Sequence, residues 1–411
     1  YKKALIPEIM AAFESVSAEN DIIVIEGAGS PAEINLKEDD IVNMGMAELV
    51  NAPVLLAGDI DRGGVFASLY GTVMLLEKQE RRRIKGLIIN KFRGDKSILE
   101  PGLDMLTKLT NIPVMGVLPY INVDIDDEDS LAPCLAQTQQ RRPLDIAVVR
   151  LPRISNFTDF NVFERLEGVS VRYVSSVQEL GRPDMIFLPG SKNTMGDLCW
   201  MRQNGLEAAV KKLAVHIPVW GICGGYQMLG RTISDPHGVE NENSLREPLR
   251  GMELIDTDTT LMPEKMRTQT RGKFENVTGI FSTLSGLEFS GYEIHMGKTT
   301  VSTGEHQTPL VQLADGRTDG VQRMEKGSEE PGVYGSYVHG IFDDGDIAVR
   351  IVQALADKKR VSWKPEAGGD YHAFKEQQYD KDGKPLYDYM VKRVAKSLNS
   401  ISYAVSKVTV S

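Results

Sequence analysis

Short apolar runs alternate with amphipathic stretches along most of this chain. In its first part, several runs are apolar at consecutive positions rather than at every second one. Such runs are typical of parallel strands whose two faces are both covered by helices. We expect strands at Asp21–Ile25, Pro53–Gly58, Gly86–Asn90 and Pro113–Leu118.

Helices are predicted between these strands, because the apolar residues there recur with helical periodicity. The rhythm of strand and helix indicates a doubly wound α/β sheet. The predicted helices are Lys2–Glu19, Asn43–Val50, Val65–Leu76 and Ile98–Leu109.

The same alternation returns after Pro143 and predicts a second α/β domain. Arg250–Val338 interrupts it with Thr, Gly and short β-like runs, which favour an antiparallel excursion. The expected strands are Leu144–Val149, Val169–Val174, Met185–Leu188 and Pro218–Ile222, and the expected closing helix is Ile347–Asp357.

The stretch between the two patterns, Asp124–Arg142, is acidic at first and then polar. That composition is typical of a domain boundary. We therefore predict one α/β domain at 1–141, a second at 144–358 and a helical extension at 359–411. The extension has two helical stretches, His372–Tyr379 and Pro385–Leu398.

Composition excludes several classes of protein. The 411 residues carry a net charge of −10 without a long basic run, which argues against nucleic-acid binding. No apolar run approaches the roughly 20 residues of a membrane span, and no signal peptide is visible. Three widely spaced cysteines give neither a disulfide framework nor a zinc pattern. We expect a cytoplasmic protein, and nothing in the sequence predicts an oligomeric state.

Candidate chemistry begins in Val219–Gly230, where a buried strand is followed by Cys223, two glycines and a helix. The glycines permit a sharp turn, and the helix N-terminus favours a thiolate, which attacks carbonyl carbons. A buried cysteine acting as a small hydrophobe is the alternative. Glycine on both sides favours the nucleophile, because packing alone does not require it.

A thiolate nucleophile needs a base, and His339 is the best candidate. It ends the β-like run Val333–Val338 and precedes Gly340, so that a loop can aim the imidazole at Cys223. The serious rival is His295, in the segment Tyr292–Gly297.

Polar residues also follow the strands predicted in the first domain, where sites in such sheets lie. Glu26 follows Asp21–Ile25 and is a candidate ligand for Mg²⁺. Asp59 and Asp61 come directly after the next strand. The glycines that follow open a helix, which predicts a site for phosphate or a substrate carboxylate.

Several long motifs resemble the class I glutamine amidotransferases, and specifically their cobyric acid synthase branch. They are GICGGYQMLG, GSYVHG, LPGSKNT (Leu188–Thr194), YEIHMG, EGAGSPAEINL (Glu26–Leu36), GDIDRGGVFASLYGT (Gly58–Thr72) and INKFRGD (Ile89–Asp95). The resemblance covers nearly the whole chain. It implies a P-loop-NTPase-like (dethiobiotin-synthetase-like) synthetase domain followed by a glutamine amidotransferase domain.

The resemblance also implies an activity in cobalamin biosynthesis. Such an enzyme takes ammonia from glutamine and, with ATP and Mg²⁺, amidates the b, d, e and g carboxylates of adenosylcobyrinic acid a,c-diamide, a corrinoid. Two other interpretations stay open: a cobyrinate a,c-diamide synthase-like enzyme, and a non-catalytic module with an amidotransferase fold.

Roles for particular residues follow from the resemblance. A backbone N–H of Gly190 or Ser191, together with that of Gly224, is expected to bind the oxyanion, and Gly225 is expected to lie against the glutamine. A plain turn at Pro189–Ser191 is the alternative. Asn90 and Lys91 are expected to contact the adenine base.

Two departures from the family pattern stand out. No segment matches the P-loop G-x-x-x-x-G-K-[ST], so we expect this sequence to lack the first strands of the synthetase domain. Many class I enzymes have His-x-Glu, but Ile341 stands two residues after His339. The orienting group is therefore elsewhere or missing, and Glu293, with Asp343 behind it, is the candidate. The alternative is that Glu293 is a carboxylate at a β-edge or makes a structural hydrogen bond to the loop around Cys223.

Overall fold

The computed structural model describes residues 2–120, 142–240, 248–302, 306–324 and 332–364, together with Tyr371, 373–375 and 377–378. Two predictions lie almost wholly outside the described residues: the linker Asp124–Arg142 and the second tail helix, Pro385–Leu398. The chain forms two compact units, divided after residues 124 and 377. Unit 1 holds residues 1–124 and 378–411, and unit 2 holds residues 125–377.

Unit 1 is built on a parallel sheet in the order β1-β2-β3, which confirms three of the four strands predicted there. Leu87 and Ile89 of the middle strand are completely buried under the helices. The strands are β1 (Val54–Asp59), β2 (Ile84–Phe92) and β3 (Val114–Pro119); the helices are α1 (Ile6–Glu19), α2 (Met44–Leu49), α3 (Val65–Leu75), α4 (Lys78–Arg83) and α5 (Lys96–Thr110), with short 3₁₀-helices at Lys2–Leu5 and Lys37–Asp39.

The strand predicted at Asp21–Ile25 is wrong. This segment has no regular structure, and Val24 is 91% exposed. An apolar run becomes a strand only when neighbouring strands satisfy its backbone and other elements cover its faces. Among the described residues, no strand pairs with this segment. Glu26 therefore does not stand at a strand end.

Unit 2 contains a central sheet in the order β14-β17-β18-β9-β7-β4-β6. The five strands from β18 to β6 run parallel, and the sequence predicted four of them almost to the residue. Its strands are β4 (Leu144–Val149), β6 (Val169–Val174), β7 (Met185–Leu188), β9 (Val219–Ile222), β14 (Gln307–Thr308), β17 (Val321–Arg323) and β18 (Val333–Ser336), and a two-stranded ladder joins β5 (Ile154–Ser155) to β8 (Gly190–Ser191).

Helices and aromatic rings cover this sheet. Phe187 packs edge-on against Phe342 with ring centroids 5.3 Å apart, and Trp220 stacks on Tyr334 at 5.1 Å. All four side chains are fully buried. The helices are α6 (Asn161–Glu164), α7 (Val177–Leu180), α8 (Thr194–Gln203), α9 (Leu206–Leu213), α10 (Gly224–Leu229) and α11 (Ile347–Lys359), with short 3₁₀-helices at Phe157–Phe160 and Gly279–Leu284.

The predicted antiparallel excursion is confirmed as a second sheet. It is dominated by the long pair β12 and β13. The last strand of this sheet, β19, follows β18 of the central sheet with Tyr337 between them, so the chain crosses from one sheet to the other there. The strands are β10 (Thr232–Ser234), β11 (Leu249–Arg250), β12 (Thr257–Phe274), β13 (Glu288–Val301), β15 (Val311–Leu313), β16 (Thr318–Asp319) and β19 (Val338–His339).

The first stretch of the predicted tail is helical at its described residues, and the part of it up to residue 377 belongs to unit 2. The Arg165 guanidinium lies 3.0 Å from the centre of the Phe374 ring, and Tyr371 is buried. Among the described residues, no helix has both the length and the apolar character needed to cross a bilayer.

Candidate active site

Cys223 occupies a strained turn between β9 and α10. Its φ of 50° and ψ of −106° place it in a region that side-chain-bearing residues rarely adopt. The surrounding backbone holds it there: the Cys223 N–H donates to the Ser336 carbonyl at 2.9 Å, and its own carbonyl accepts from the Gln227 N–H at 3.1 Å. The sulfur lies 3.7 Å from the Ile294 carbonyl oxygen. This is the sharp strand-to-helix turn that the sequence predicted.

Glycine at two positions around this turn is required by close packing. A Cβ atom at Gly225 would lie 2.0 Å from the Leu188 carbonyl oxygen, at the end of β7. A Cβ atom at Gly224 would lie 2.8 Å from the Ser191 backbone nitrogen. The turn at Cys223, called the elbow below, is therefore packed closely against the loop that follows β7. This packing brings Ser191 close to Cys223.

His339 is held by a buried carboxylate, that of Asp159. The imidazole Nδ1 and an Asp159 oxygen are 2.7 Å apart, and the other oxygen accepts from the Gly340 N–H at 2.8 Å. Both side chains are almost completely excluded from solvent. The Tyr292 ring stacks on the imidazole with a centroid distance of 5.3 Å. Ring and carboxylate together fix the orientation of His339.

Two opposing effects set the charge of His339. Burial lowers the pKa of His339. The charge and hydrogen bond of Asp159, and a smaller contribution from Cys223, raise the pKa by more than burial lowers it, and the outcome is a pKa of about 10. The other ring nitrogen, Nε2, is buried without a hydrogen bond among the described residues. The imidazole is thus protonated near neutral pH, and the Cys223 sulfur contributes to that state.

The expectation that Glu293 orients His339 is corrected by the structure. Glu293 is paired with Arg317 at 2.6 Å and lies 3.6 Å from His295. Its neighbour Tyr292 is the residue that stacks on His339. Successive residues of a strand point to opposite faces, so Glu293 points away from the imidazole.

Asp343, the second residue expected to orient His339, is ion-paired instead with Lys375 at 3.7 Å.

Asp159 was missed because it precedes His339 by 180 residues. One feature could have indicated it: Asp159 stands between aromatic residues in the buried 3₁₀-helix Phe157–Phe160. A buried aspartate is rare unless it is paired.

His295 does not take part in this pair. Its Nδ1 lies 2.9 Å from the Gly297 carbonyl oxygen, and its ring stacks on Tyr337 at 3.8 Å. The geometry therefore favours His339 over His295 as the residue that exchanges protons at Cys223, and its catalytic role stays a prediction.

The loop predicted to bind the oxyanion lies beside the histidine. A Cβ atom at Gly190 would be 3.2 Å from the His339 Cε1 atom. The Ser191 hydroxyl donates to the buried Asp197 at 2.7 Å and accepts from the Asn193 N–H at 2.9 Å. The side chain of Ser191 is thus tied back into the loop, and its backbone is what approaches Gly224.

Comparisons with known proteins agree with this geometry. Residues 145–347 match the CobB/CobQ-like glutamine amidotransferase domain, and residues 3–126 match an AAA domain. The chain is 55% identical over 92% of its length to a cobyric acid synthase of Ruminiclostridium cellulolyticum, and covers 73% of it. The chain is 50% identical over 93% of its length to that of Lachnoclostridium phytofermentans, and covers 75% of it.

The chain belongs to the cobyric acid synthase family. The predicted fold class, an α/β synthetase domain followed by an α/β amidotransferase domain, is confirmed by the two family matches. A solved glutamine amidotransferase is similar over 53% of this chain and 99% of its own, with 16% identity and a TM-score of 0.36.

In this cobyric acid synthase family member, the other predicted residues lie in unit 1. Asp59 and Asn90 are directly paired in the register of β1 and β2, at the carboxyl ends of both strands. Lys91 Nζ is 2.9 Å from Asp59, and Arg93 Nε is 3.0 Å from Asp61. The hydrogen bond from Lys91 lowers the pKa of Asp59. The structure thus brings Asp59, Asp61, Asn90 and Lys91 to one edge of the sheet.

Glu26 is not held at that edge. It is exposed and makes no hydrogen bond or ion pair within the described residues. Among those residues, no three His, Cys, Asp or Glu side chains converge on a possible metal position. The assignment of Glu26 to Mg²⁺ stays a prediction.

Replacing Asp159 by Asn should lower kcat for glutamine hydrolysis by about 10²-fold or more, because the amide neither stabilises the imidazolium nor fixes its orientation. The comparison variant is Glu293→Gln, which should keep most of its activity. Glutamate release measures both. Loss in Glu293→Gln with retention in Asp159→Asn would reverse the assignment.

His339 should also make stability depend on pH. Its pKa is raised from 6.5 to about 10, so its contribution is complete below pH 6.5 and is lost as pH rises through about 10. The difference in unfolding free energy between wild type and His339→Gln should shrink across this window. Urea unfolding at several pH values measures it, and a constant difference would contradict the account.

Proposed function

We propose that this protein hydrolyses glutamine at Cys223 and uses the ammonia, with ATP, to amidate the b, d, e and g carboxylates of adenosylcobyrinic acid a,c-diamide, giving adenosylcobyric acid. Membership of the cobyric acid synthase family supports the overall reaction. The observation that carries the glutaminase half is the strained Cys223 elbow beside a buried His339, itself held by Asp159.

The chemistry follows from these three side chains. The Cys223 sulfur attacks the side-chain carbonyl carbon of glutamine, and the His339 imidazolium gives its proton to the departing nitrogen. Ammonia leaves and a thioester remains. His339 then accepts a proton from water as the water attacks the thioester, which releases glutamate and restores the sulfur. Among the described residues, Asp159 forms hydrogen bonds with the imidazole and the Gly340 N–H, and it orients the ring without taking part in the proton transfers.

Backbone donors stabilise the oxyanion that forms in both steps. We assign this role to the N–H of Gly190 or Ser191, with the N–H of Gly224 as partner. The proximity of Gly190 to His339 and of Ser191 to Gly224 supports the assignment. A donor of this kind contributes roughly 3 kcal/mol to the transition state. Gly225 keeps the turn tight enough for glutamine to approach.

The synthetase domain is proposed to bind ATP and the corrinoid, and unit 1, whose sequence carries no P-loop motif, is proposed to supply part of that site. Asp59, Asp61, Asn90 and Lys91 lie together at the carboxyl edge of a parallel sheet, where such ligands bind. Their mixture of carboxylates and a lysine suits a phosphate accompanied by Mg²⁺. Because no larger acidic cluster is present among the described residues, the ion would rely on one or two carboxylates and on phosphate oxygens. Glu26 would have to move to this edge to be one of them.

ATP supplies the phosphoryl group that activates a corrinoid carboxylate, and ammonia then displaces phosphate from the acyl phosphate. We assign this synthetase reaction to residues 1–141 and the glutaminase reaction to residues 144–358, with residues 359–411 as a helical extension. The reaction is placed in the cytoplasm, where its substrates glutamine and ATP are found.

Cys223→Ser separates the two half reactions. The variant should lose glutamine-dependent amidation completely, because the hydroxyl replaces the nucleophilic sulfur. It should keep ammonia-dependent amidation, because the synthetase half does not use Cys223. The assay is corrinoid product formation by the full-length protein with ATP and either glutamine or an ammonium salt.

Wild-type protein with each nitrogen source is the control. Loss of both activities in Cys223→Ser would contradict the assignment of glutamine hydrolysis and amidation to separate domains. Products amidated at a and c, instead of b, d, e and g, would identify a cobyrinate a,c-diamide synthase.

A further inference from the structure

A buried carboxylate that the reaction does not use lies behind the active site. Asp319, at the end of β16, is 9% exposed, and no basic side chain pairs with it within the described residues. One of its oxygens accepts from the Ser336 hydroxyl at 2.6 Å and from the Tyr337 N–H at 2.9 Å. Two donors therefore converge on one carboxylate oxygen.

Ser336 connects this carboxylate to both catalytic residues. Its carbonyl oxygen accepts the Cys223 N–H at 2.9 Å. Its hydroxyl oxygen accepts the N–H of Val338, the residue before His339, at 3.0 Å. A shift of Ser336 would move the nucleophile and the base relative to each other.

The chain changes sheets at this point. Ser336 pairs with Ile222 in the central sheet, whereas Val338 and His339 pair with β13 in the second sheet. Tyr337, between them, is in neither ladder, so its N–H needs an acceptor from elsewhere. Asp319 provides that acceptor.

We propose that Asp319 is a positioning residue for glutamine hydrolysis: by binding Ser336 and Tyr337, it fixes the sheet crossover that sets the spacing of Cys223 and His339. The inference rests on the proposed glutaminase function. Asp319 contacts neither catalytic side chain and acts through Ser336, Tyr337 and the backbone between them.

An ionised carboxylate suits this position because it has acceptors only: burial raises the pKa of Asp319, and the hydrogen bonds from the Ser336 hydroxyl and the Tyr337 N–H oppose that rise. An asparagine of the same size offers these two donors only a neutral amide oxygen, which is the weaker acceptor, or turns its N–H₂ group against both. Asp319→Asn should therefore loosen the crossover without removing volume from the core.

Asp145 offers a matched control. It is also a buried aspartate that accepts a serine hydroxyl, from Ser170 at 3.1 Å, and it pairs with Arg172 at 2.7 Å. It stands near the amino end of β4, whereas Cys223 follows the carboxyl end of the parallel strand β9. Asp145→Asn disturbs a buried carboxylate without disturbing the crossover.

The experiment compares kcat and KM for glutamine hydrolysis by the full chain. Asp319→Asn should lower kcat by about 10- to 100-fold and change KM by less than about twofold, because a displacement near 1 Å is enough for such a loss. Asp145→Asn should keep the wild-type kcat at temperatures where it is folded. Ser336→Ala should lower kcat, and adding it to Asp319→Asn should cause no further loss, because both act on one contact.

Wild-type kcat in folded Asp319→Asn, or losses that multiply in the double variant, would overturn the inference. An equal loss in Asp145→Asn would do the same, since it would show a general effect of buried carboxylates. If Asp319→Asn fails to fold, Ser336→Ala decides alone, and wild-type kcat there overturns the inference. Failure of the wild-type chain to hydrolyse glutamine would instead refute the proposed function.

Discussion

The buried pair of Asp159 and His339 is the interaction on which the site depends. Burial alone would leave the imidazole neutral, and the carboxylate 2.7 Å away, together with the Cys223 sulfur, keeps it charged out of water. The pair acts where little water screens it, so its effect is much larger than that of a surface ion pair. A protonated imidazole beside Cys223 is the proton donor that the departing ammonia requires.

The fold brings together four distant segments to make this arrangement. The parallel strands β7 and β9 end at the same edge, which puts the Gly190–Ser191 loop against the Cys223 elbow. The 3₁₀-helix Phe157–Phe160 brings Asp159 to that edge. The crossover between the two sheets then delivers His339. The backbone around the site is held by strand pairing. A backbone held in this way can keep Cys223 in its strained conformation.

Much of this was predictable, and the failures have physical causes. Runs such as Leu144–Val149 can be recognised as strands, because a strand that is buried on both faces has apolar residues at consecutive positions. Asp21–Ile25 has the same signature but, among the described residues, no neighbouring strand to pair with, and composition does not reveal that. Glu293 was chosen wrongly because strand register, which decides the face of each residue, is set by distant pairing. Asp159 was missed because its partner is remote in sequence.

The most direct test is covalent labelling with diazo-oxo-norleucine, a glutamine analogue that reacts with an activated cysteine in a glutamine site. Peptide mapping by mass spectrometry locates the adduct, and Cys134 and Cys199 serve as internal controls. The account predicts one adduct, on Cys223, formed more slowly when glutamine competes. No adduct on Cys223, or labelling of Cys199 to the same extent, would contradict it.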